Sequence, residues 1–286
     1  MTEGGWTAET VATPGNFKLE VSDGIATLTL DRAETLNALT LHTYRELRDT
    51  FNALQDDPLT PGPAADRATA VRAVILTGAG AGFCSGADID ELIAQLTRMG
   101  TADILAFARL CGETVLAMRR LRKPIIAAVN GVAVGAGAAL AIAADIRVAS
   151  DLARFGFIFP RMGLSGAEMG TTWLLPRIVG LGRATELLLT GDIIDVYAAE
   201  RSGLVSRVVP GEQLMPVARE LATRLAAGPT FAHGMTKEML EREAHMDLAS
   251  ALAAEAQAQQ ICTQSLDFRE AYRAIVRQRR PRFQGR

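Results

Sequence analysis

Two glycine- and alanine-rich segments constrain the fold of this chain more than any other feature. They are Gly78-Ala-Gly-Ala-Gly-Phe-Cys-Ser-Gly-Ala-Asp88 and Asn130-Gly-Val-Ala-Val-Gly-Ala-Gly-Ala-Ala139. Each follows a short apolar run, Val71–Thr77 and Ile125–Val129 respectively, and each leads into a helical pattern. The first N–H groups of a helix have no intrahelical partner and sit at its positive end. Small residues let a ligand approach that backbone closely. Two such termini aimed at one point would form an oxyanion hole, which stabilises negative charge developing on a carbonyl oxygen. Tight turns with close helix packing are the alternative reading, and composition alone leaves both open.

The familiar glycine motifs do not fit. Gly78-x-Gly80-x-x-Phe83 and Gly135-x-Gly137-x-x-Leu140 lack the third glycine of a dinucleotide fingerprint, and no Gly-Lys-Ser/Thr of a phosphate loop exists. The segments around Ser165 and Ser85 each miss one glycine of a hydrolase nucleophile elbow.

Around these segments the chain alternates strands and helices. Phe17–Val21 and Ile25–Asp31 flank the turn signal Asp23-Gly24. Thr40 caps a helix to about Leu54, with Leu41, Tyr44, Leu47, Phe51 and Leu54 at helical spacing. Further helices are predicted from about Asp88, over 101–121 and over 136–144, with strands at Ile125–Val129 and Ile146–Ala149. Residues 130–135 read as a turn and 155–170 as irregular. Beyond about 171 the pattern is helical over 180–189, 196–201, 211–227, 230–243, 247–263 and 267–277, with a strand-like link at Gly203–Pro210. Residues 1–15 read as a disordered arm and 57–70, with three prolines, as a surface loop. The fold class is therefore α/β with a helical C-terminal part.

Composition narrows the function. With 49% hydrophobic residues in 286, a sizeable core can form. Thirty basic and 32 acidic residues, without a long run of either sign, argue against nucleic acid as a partner. Cys84, Cys111 and Cys262 have no paired spacing, which predicts neither disulfides nor a zinc site and fits a reducing compartment. No leader pattern and no apolar stretch of roughly 20 residues is evident, so no membrane partner and a cytoplasmic location are expected.

Seven ordered segments carry a resemblance: Leu36-Asn-Ala-Leu39, Gly82-Phe-Cys-Ser-Gly-Ala-Asp-Ile89, Lys123-Pro through Gly137, Ala144-Asp-Ile-Arg-Val-Ala149, Leu175-Pro-Arg177, Leu189-Thr-Gly191 and Gly203-Leu-Val-Ser-Arg-Val208. In order and spacing, over about residues 17–280, they resemble the enoyl-CoA hydratase/isomerase (crotonase) family. The resemblance implies a crotonase-like spiral of ββα units over 16–205 and a helical C-terminal trimerisation region over 206–286, with trimers or dimers of trimers. It implies an acyl-CoA thioester as substrate, with no metal and no cofactor beyond the coenzyme A of that substrate. The oxyanion N–H groups fall on Ala87 and Ala136; relatives often have Gly at the second, and Ala still offers its backbone. Coenzyme A is expected near Ala38, Ser85, Ala87, Asp88 and Ile89. Arg32 either reaches a CoA phosphate or is a solvated strand-end charge.

The sequence departs from the family pattern at the acids. Hydratases of the family use two glutamates, and the matching positions here are Ala139 and Phe159. Syn hydration needs a base on water and an acid at the α-carbon, and neither residue can move a proton. One carboxylate stands nearby, Glu168 in Gly163-Leu-Ser-Gly-Ala-Glu-Met-Gly170. Family isomerases carry an acid in this loop, with a one-residue difference in length. A pocket lined by Phe157, Phe159 and Met162 would raise its pKa and suit it to proton transfer. Glu168 is otherwise a surface acid or a cap for the amides of Thr171 and Thr172. Asp88 and Asp90 read as caps and Asp145 as structural, while Glu113 and Arg161 are weaker site candidates. His42, His233 and His245 read as solvated or packed.

The expectation is thus an enzyme that acts on an enoyl-CoA thioester through an oxyanion-stabilised enolate, in fatty-acid or related acyl-CoA catabolism. Double-bond isomerisation by Glu168 alone, thioester hydrolysis and acyl-CoA binding without turnover stand as alternatives.

Overall fold

The computed structural model describes residues 15–56 and 70–286. The expected arm over 1–15 and loop over 57–70 lie, but for their last residues, outside the described residues.

The chain builds two sheets in a repeating order. A hairpin of β1 (Phe17–Ser22) and β2 (Ile25–Leu30) turns at Asp23-Gly24 as predicted and leads to α1 (Leu41–Asp56). Then come β3 (Ala73–Gly78), β4 (Gly82–Cys84), the short α2 (Ala94–Leu96) and α3 (Thr101–Arg120). Next are β5 (Ile125–Val129), β6 (Val132–Val134), α4 (Ala136–Ala143), β7 (Ile146–Ser150) and β8 (Arg154–Gly156). The strands β3, β5 and β7 lie side by side and parallel in a six-stranded sheet of order β1-β2-β3-β5-β7, closed at its far edge by β10 (Arg207–Val209). Their successors β4, β6 and β8 lie side by side and parallel in a four-stranded sheet, whose fourth strand is β9 (Ile193–Asp195). Each turn of the chain thus gives one strand to each sheet, which is a spiral of ββα units.

That stacking explains the small residues. A Cβ at Gly137, on α4, would stand 2.1 Å from the Cys84 carbonyl oxygen, closer than any side-chain carbon can come. All eight residues of α4 are buried, in keeping with a helix hydrophobic all round. Strand alternation divides the core in two. Val74 and Leu76 of β3, with Ile125, Ala127 and Val129 of β5, face the main core. Ala73, Ile75, Ile126 and Ala128 face the other way, onto Leu214, Ala218 and Leu221 of a C-terminal helix.

The rest of the chain is helical, as expected: α5 (Thr171–Val179), α6 (Leu181–Thr190), α7 (Val196–Arg201), α8 (Leu214–Ala226), α9 (Thr230–Arg242), α10 (Leu248–Gln264) and α11 (Leu266–Val276). Buried Lys237 of α9 ties this part to the spiral, donating to the Asp145 carboxylate at 2.8 Å and to the Met118 carbonyl at 3.1 Å. Asp145 also accepts the Ile125 N–H at 2.8 Å, the structural role predicted for it. Few residues of α10 and α11 are buried. Leu248, Leu252, Ile261, Phe268, Tyr272 and Ile275 are exposed. Among the described residues no helix is long and apolar enough to cross a membrane.

Six elements differ from the sequence reading, among them β4 (Gly82–Cys84) inside the first glycine-rich segment and β9 (Ile193–Asp195) between two expected helices. Residues 130–135 hold β6, and the stretch from 155 begins inside β8. Three-residue strands are too short to show a period of two. The helix expected from Asp88 starts as a π-helical turn, Ile89–Ile93, capped by Asp88. Pro176 sits inside α5 and masks its helical pattern.

Candidate active site

The two small-residue segments meet. After β4, residues Ser85 to Ala87 bend beside the entry to α1. Leu39 donates its N–H to the Gly86 carbonyl at 2.7 Å, and Asp88 donates to the Leu39 carbonyl at 2.9 Å. This is a parallel bridge between Leu39 and Ala87, which leaves the Ala87 N–H pointing away from it. Ala136 is the first residue of α4, and its cap Gly135 offers no side chain. Gly86 has φ +98°, and a Cβ there would lie 3.1 Å from the Val134 carbonyl and 3.5 Å from the Ala136 nitrogen. Among the described residues neither the Ala87 nor the Ala136 N–H has an acceptor, and both residues line one pocket of about 330 Å³.

Most expected substrate contacts line that pocket too: Ala38, Ser85, Asp88, Ile89, Phe159 and Met162. Two do not. Phe157 is packed in the main core, and its neighbour Ile158 takes the place in the lining. Arg32 is outside the lining and is ion-paired rather than a solvated charge. Its guanidinium donates to Asp88 at 2.9 Å, to Glu91 at 2.7 Å and to the Ala38 carbonyl at 3.0 Å. It braces the loop that presents Ala87. Asp88 is spent on the same brace. It accepts the amides of Asp90 at 3.1 Å and Glu91 at 2.8 Å, as the cap role predicts. Burial alone would raise its pKa, but the Glu91 amide and Arg32 outweigh that and hold the carboxyl below its ordinary value.

Glu168 reaches the pocket from the loop before α5 and is half-buried. Burial raises its pKa, and the Met169 amide opposes the rise. Its carboxylate does not cap the helix: α5 has no side-chain cap, and it is the Glu168 backbone carbonyl that accepts the Thr171 N–H at 3.0 Å. The loop is held in an uncommon shape, with buried Met169 at φ +50° followed by Gly170 at +72°. Ala139, one turn beyond Ala136 on α4, is fully buried and presents only a methyl group.

Tyr44 of α1 and Cys111 and Phe107 of α3 also line the pocket, and the sequence reading missed them as site residues. Tyr44 was read as one of the apolar positions of α1, and its signal was a polar tip on that face. The Tyr44 ring packs edge-on against Phe107, with centroids 5.7 Å apart. Burial raises the pKa of both Tyr44 and Cys111, and the negative charge of Glu168 adds to each rise.

The weaker candidates lie elsewhere. Glu113 is exposed and pairs with Arg48 at 3.0 Å, and Arg161 is exposed 3.7 Å from Asp192. His42, His233 and His245 are absent from the lining. The described residues hold no cluster of three His, Cys, Asp or Glu able to bind a metal.

Known proteins share both the sequence and the fold. Residues 20–286 match the family model described as enoyl-CoA hydratase/isomerase. The 1,2-epoxyphenylacetyl-CoA isomerase of Escherichia coli K12 is 35% identical over 93% of this chain and 97% of its own. The short-chain-enoyl-CoA hydratase of Clostridium acetobutylicum is also 35% identical, over 93% and 96% of the two chains. A crystal structure of a candidate enoyl-CoA hydratase from Streptomyces coelicolor A3(2) superposes with a TM-score of 0.90 at 44% identity, covering 100% of both chains.

Proposed function

The chain belongs to the enoyl-CoA hydratase/isomerase family and is an acyl-CoA enzyme of that type, and from that premise we propose that it moves the double bond of an enoyl-CoA thioester. One observation carries the proposal. Among the described residues three carboxylates line the pocket: Asp88 is consumed by amides and Arg32, Asp90 is exposed, and Glu168 is half-buried beside apolar walls. Hydration would need a base for water and an acid for the α-carbon. One well-placed carboxylate suffices for isomerisation.

In this reading the thioester oxygen lies between the N–H groups of Ala87 and Ala136. Glu168 takes a proton from the α-carbon of a 3-enoyl ester. The electron pair moves onto the carbonyl oxygen, where the two amides hold it. The carboxylic acid then returns the proton to the γ-carbon, leaving a 2-enoyl ester and the original carboxylate. No cofactor beyond the coenzyme A of the substrate takes part. Ala38, Ser85, Asp88 and Ile89 border the pantetheine path. Exposed Leu252, Ile261, Phe268 and Ile275 on α10 and α11 support assembly into trimers or dimers of trimers.

The test is direct. With a 3-enoyl-CoA the conjugated thioester absorbance should grow, and with crotonyl-CoA it should not fall. Steady loss of crotonyl-CoA absorbance would instead make the protein a hydratase.

A further inference from the structure

We propose that the pocket wall formed by Tyr44 and Cys111 selects acyl groups bearing an oxygen, as hydroxyl or carbonyl, beyond the reacting carbons; this rests on the pocket being the acyl site of the proposed function. The Glu168 carboxylate shares this part of the pocket, whose other walls include the apolar Phe107, Ile158, Phe159 and Met169. Tyr44 is almost wholly buried, at 1% exposure, yet faces that space.

Its place is fixed from three sides. Thr40, the residue after Leu39 of the bridge to Ala87, accepts the Tyr44 N–H at 3.2 Å, so Tyr44 stands about one helical turn from Thr40 along α1. The edge-on contact with Phe107 holds its ring. The Thr114 hydroxyl of α3 donates to the Tyr44 carbonyl at 3.1 Å and locks the two helices together. Among the described residues the Cys111 thiol, one turn from Phe107 on α3, stands beside the hydroxyl, and the charge of Glu168 acts on both. A thiol is a weak partner for a phenol O–H.

A buried hydroxyl with so weak a partner favours a ligand that supplies a better acceptor, and an alkyl chain there leaves it unimproved. A site built to hydrogen-bond a substrate oxygen discriminates against the analogue that lacks it more strongly than an apolar pocket discriminates by size. Tyr44 is therefore a specificity-determining residue.

Calorimetry with two non-reacting esters tests this: hexanoyl-CoA and 6-hydroxyhexanoyl-CoA. The hydroxy ester should bind about fivefold tighter or better, the effect of one net hydrogen bond. In Tyr44→Phe that ratio should fall below about threefold. Equal affinities in the unaltered protein, or a ratio that survives in Tyr44→Phe, would overturn the proposal. Because the unaltered protein alone can give the refuting result, the test stands even where the variant does not fold. Turnover of a 3-enoyl-CoA is measured in parallel. If that fails while the binding ratio holds, the isomerase reading is lost and the selectivity stands.

Discussion

Gly86 and Ala136 lie backbone to backbone, with the position a Cβ would take at Gly86 only 3.5 Å from the Ala136 nitrogen. This contact brings the two proposed oxyanion amides to one point. Gly86→Ala puts a methyl group there, 3.1 Å from the Val134 carbonyl, on a residue with φ +98°. The methyl group must push the two segments apart. A drop in kcat on the order of 10²-fold is expected, similar to the loss of one oxyanion donor. Steady-state kinetics on a 3-enoyl-CoA would show it, and an unchanged kcat would mean the contact does not set the site.

Ala136→Pro asks the same question of one atom. Proline is accepted at the first position of a helix, where its missing N–H leaves no intrahelical bond broken. The kcat should fall about 10²- to 10³-fold, and thermal melting measured beside it gives the cost of the proline ring against Gly86. A variant as active as the unaltered protein would remove Ala136 from the proposed mechanism.

Glu168→Gln should lower isomerase turnover by about 10²-fold or more and leave acyl-CoA affinity nearly intact. Affinity and turnover measured on the same preparation separate the two effects.

The pH dependence follows from the buried carboxyl. Burial raises the Glu168 pKa above its ordinary 4.5, and the base must be ionised to act. The rate should rise with pH through an apparent pKa above 4.5, and Glu168→Gln should abolish that limb. Stability has the opposite sign. A raised carboxyl pKa favours the protonated folded state, so its contribution is full below 4.5 and is lost as pH rises through the folded value. Glu168→Gln should therefore melt higher than the unaltered protein at pH 7.5, and the gap should close near pH 4.

Asp88→Ala removes a cap that accepts two amides and pairs with Arg32. A loss of about 1–2 kcal/mol is expected from denaturant unfolding. A loss near zero would mean the brace is idle.

Much of the frame was legible in the sequence because it rests on backbone. The glycine segments, the Asp23-Gly24 turn and the Asp88 cap each use a residue type that announces its geometry. The spiral itself came from resemblance, since three-residue strands such as β6 and β8 leave no periodic trace. The acyl wall was less legible for a different reason. Tyr44, Phe107 and Cys111 sit on amphipathic helix faces, and a residue that lines a cavity has the same spacing as one that fills a core. Phe157 shows the converse, an aromatic beside the site that turned into the core. The ion pairs of Arg32 are not legible in the sequence because its partners Asp88 and Glu91 lie 56 and 59 residues away.

The spacing that forbids a methyl group on Gly137, 2.1 Å from Cys84, divides the enzyme into parts with unequal freedom to change. Where successive turns of the spiral press together, one added carbon displaces the backbone that carries the two proposed oxyanion amides, so only the smallest residues fit there. The wall contributed by α1 and α3 is made of side chains, and any set that fills the same volume preserves the frame. Exchanging side chains such as Tyr44 and Cys111 can therefore reshape the pocket while the backbone frame around Ala87 and Ala136 stays in place.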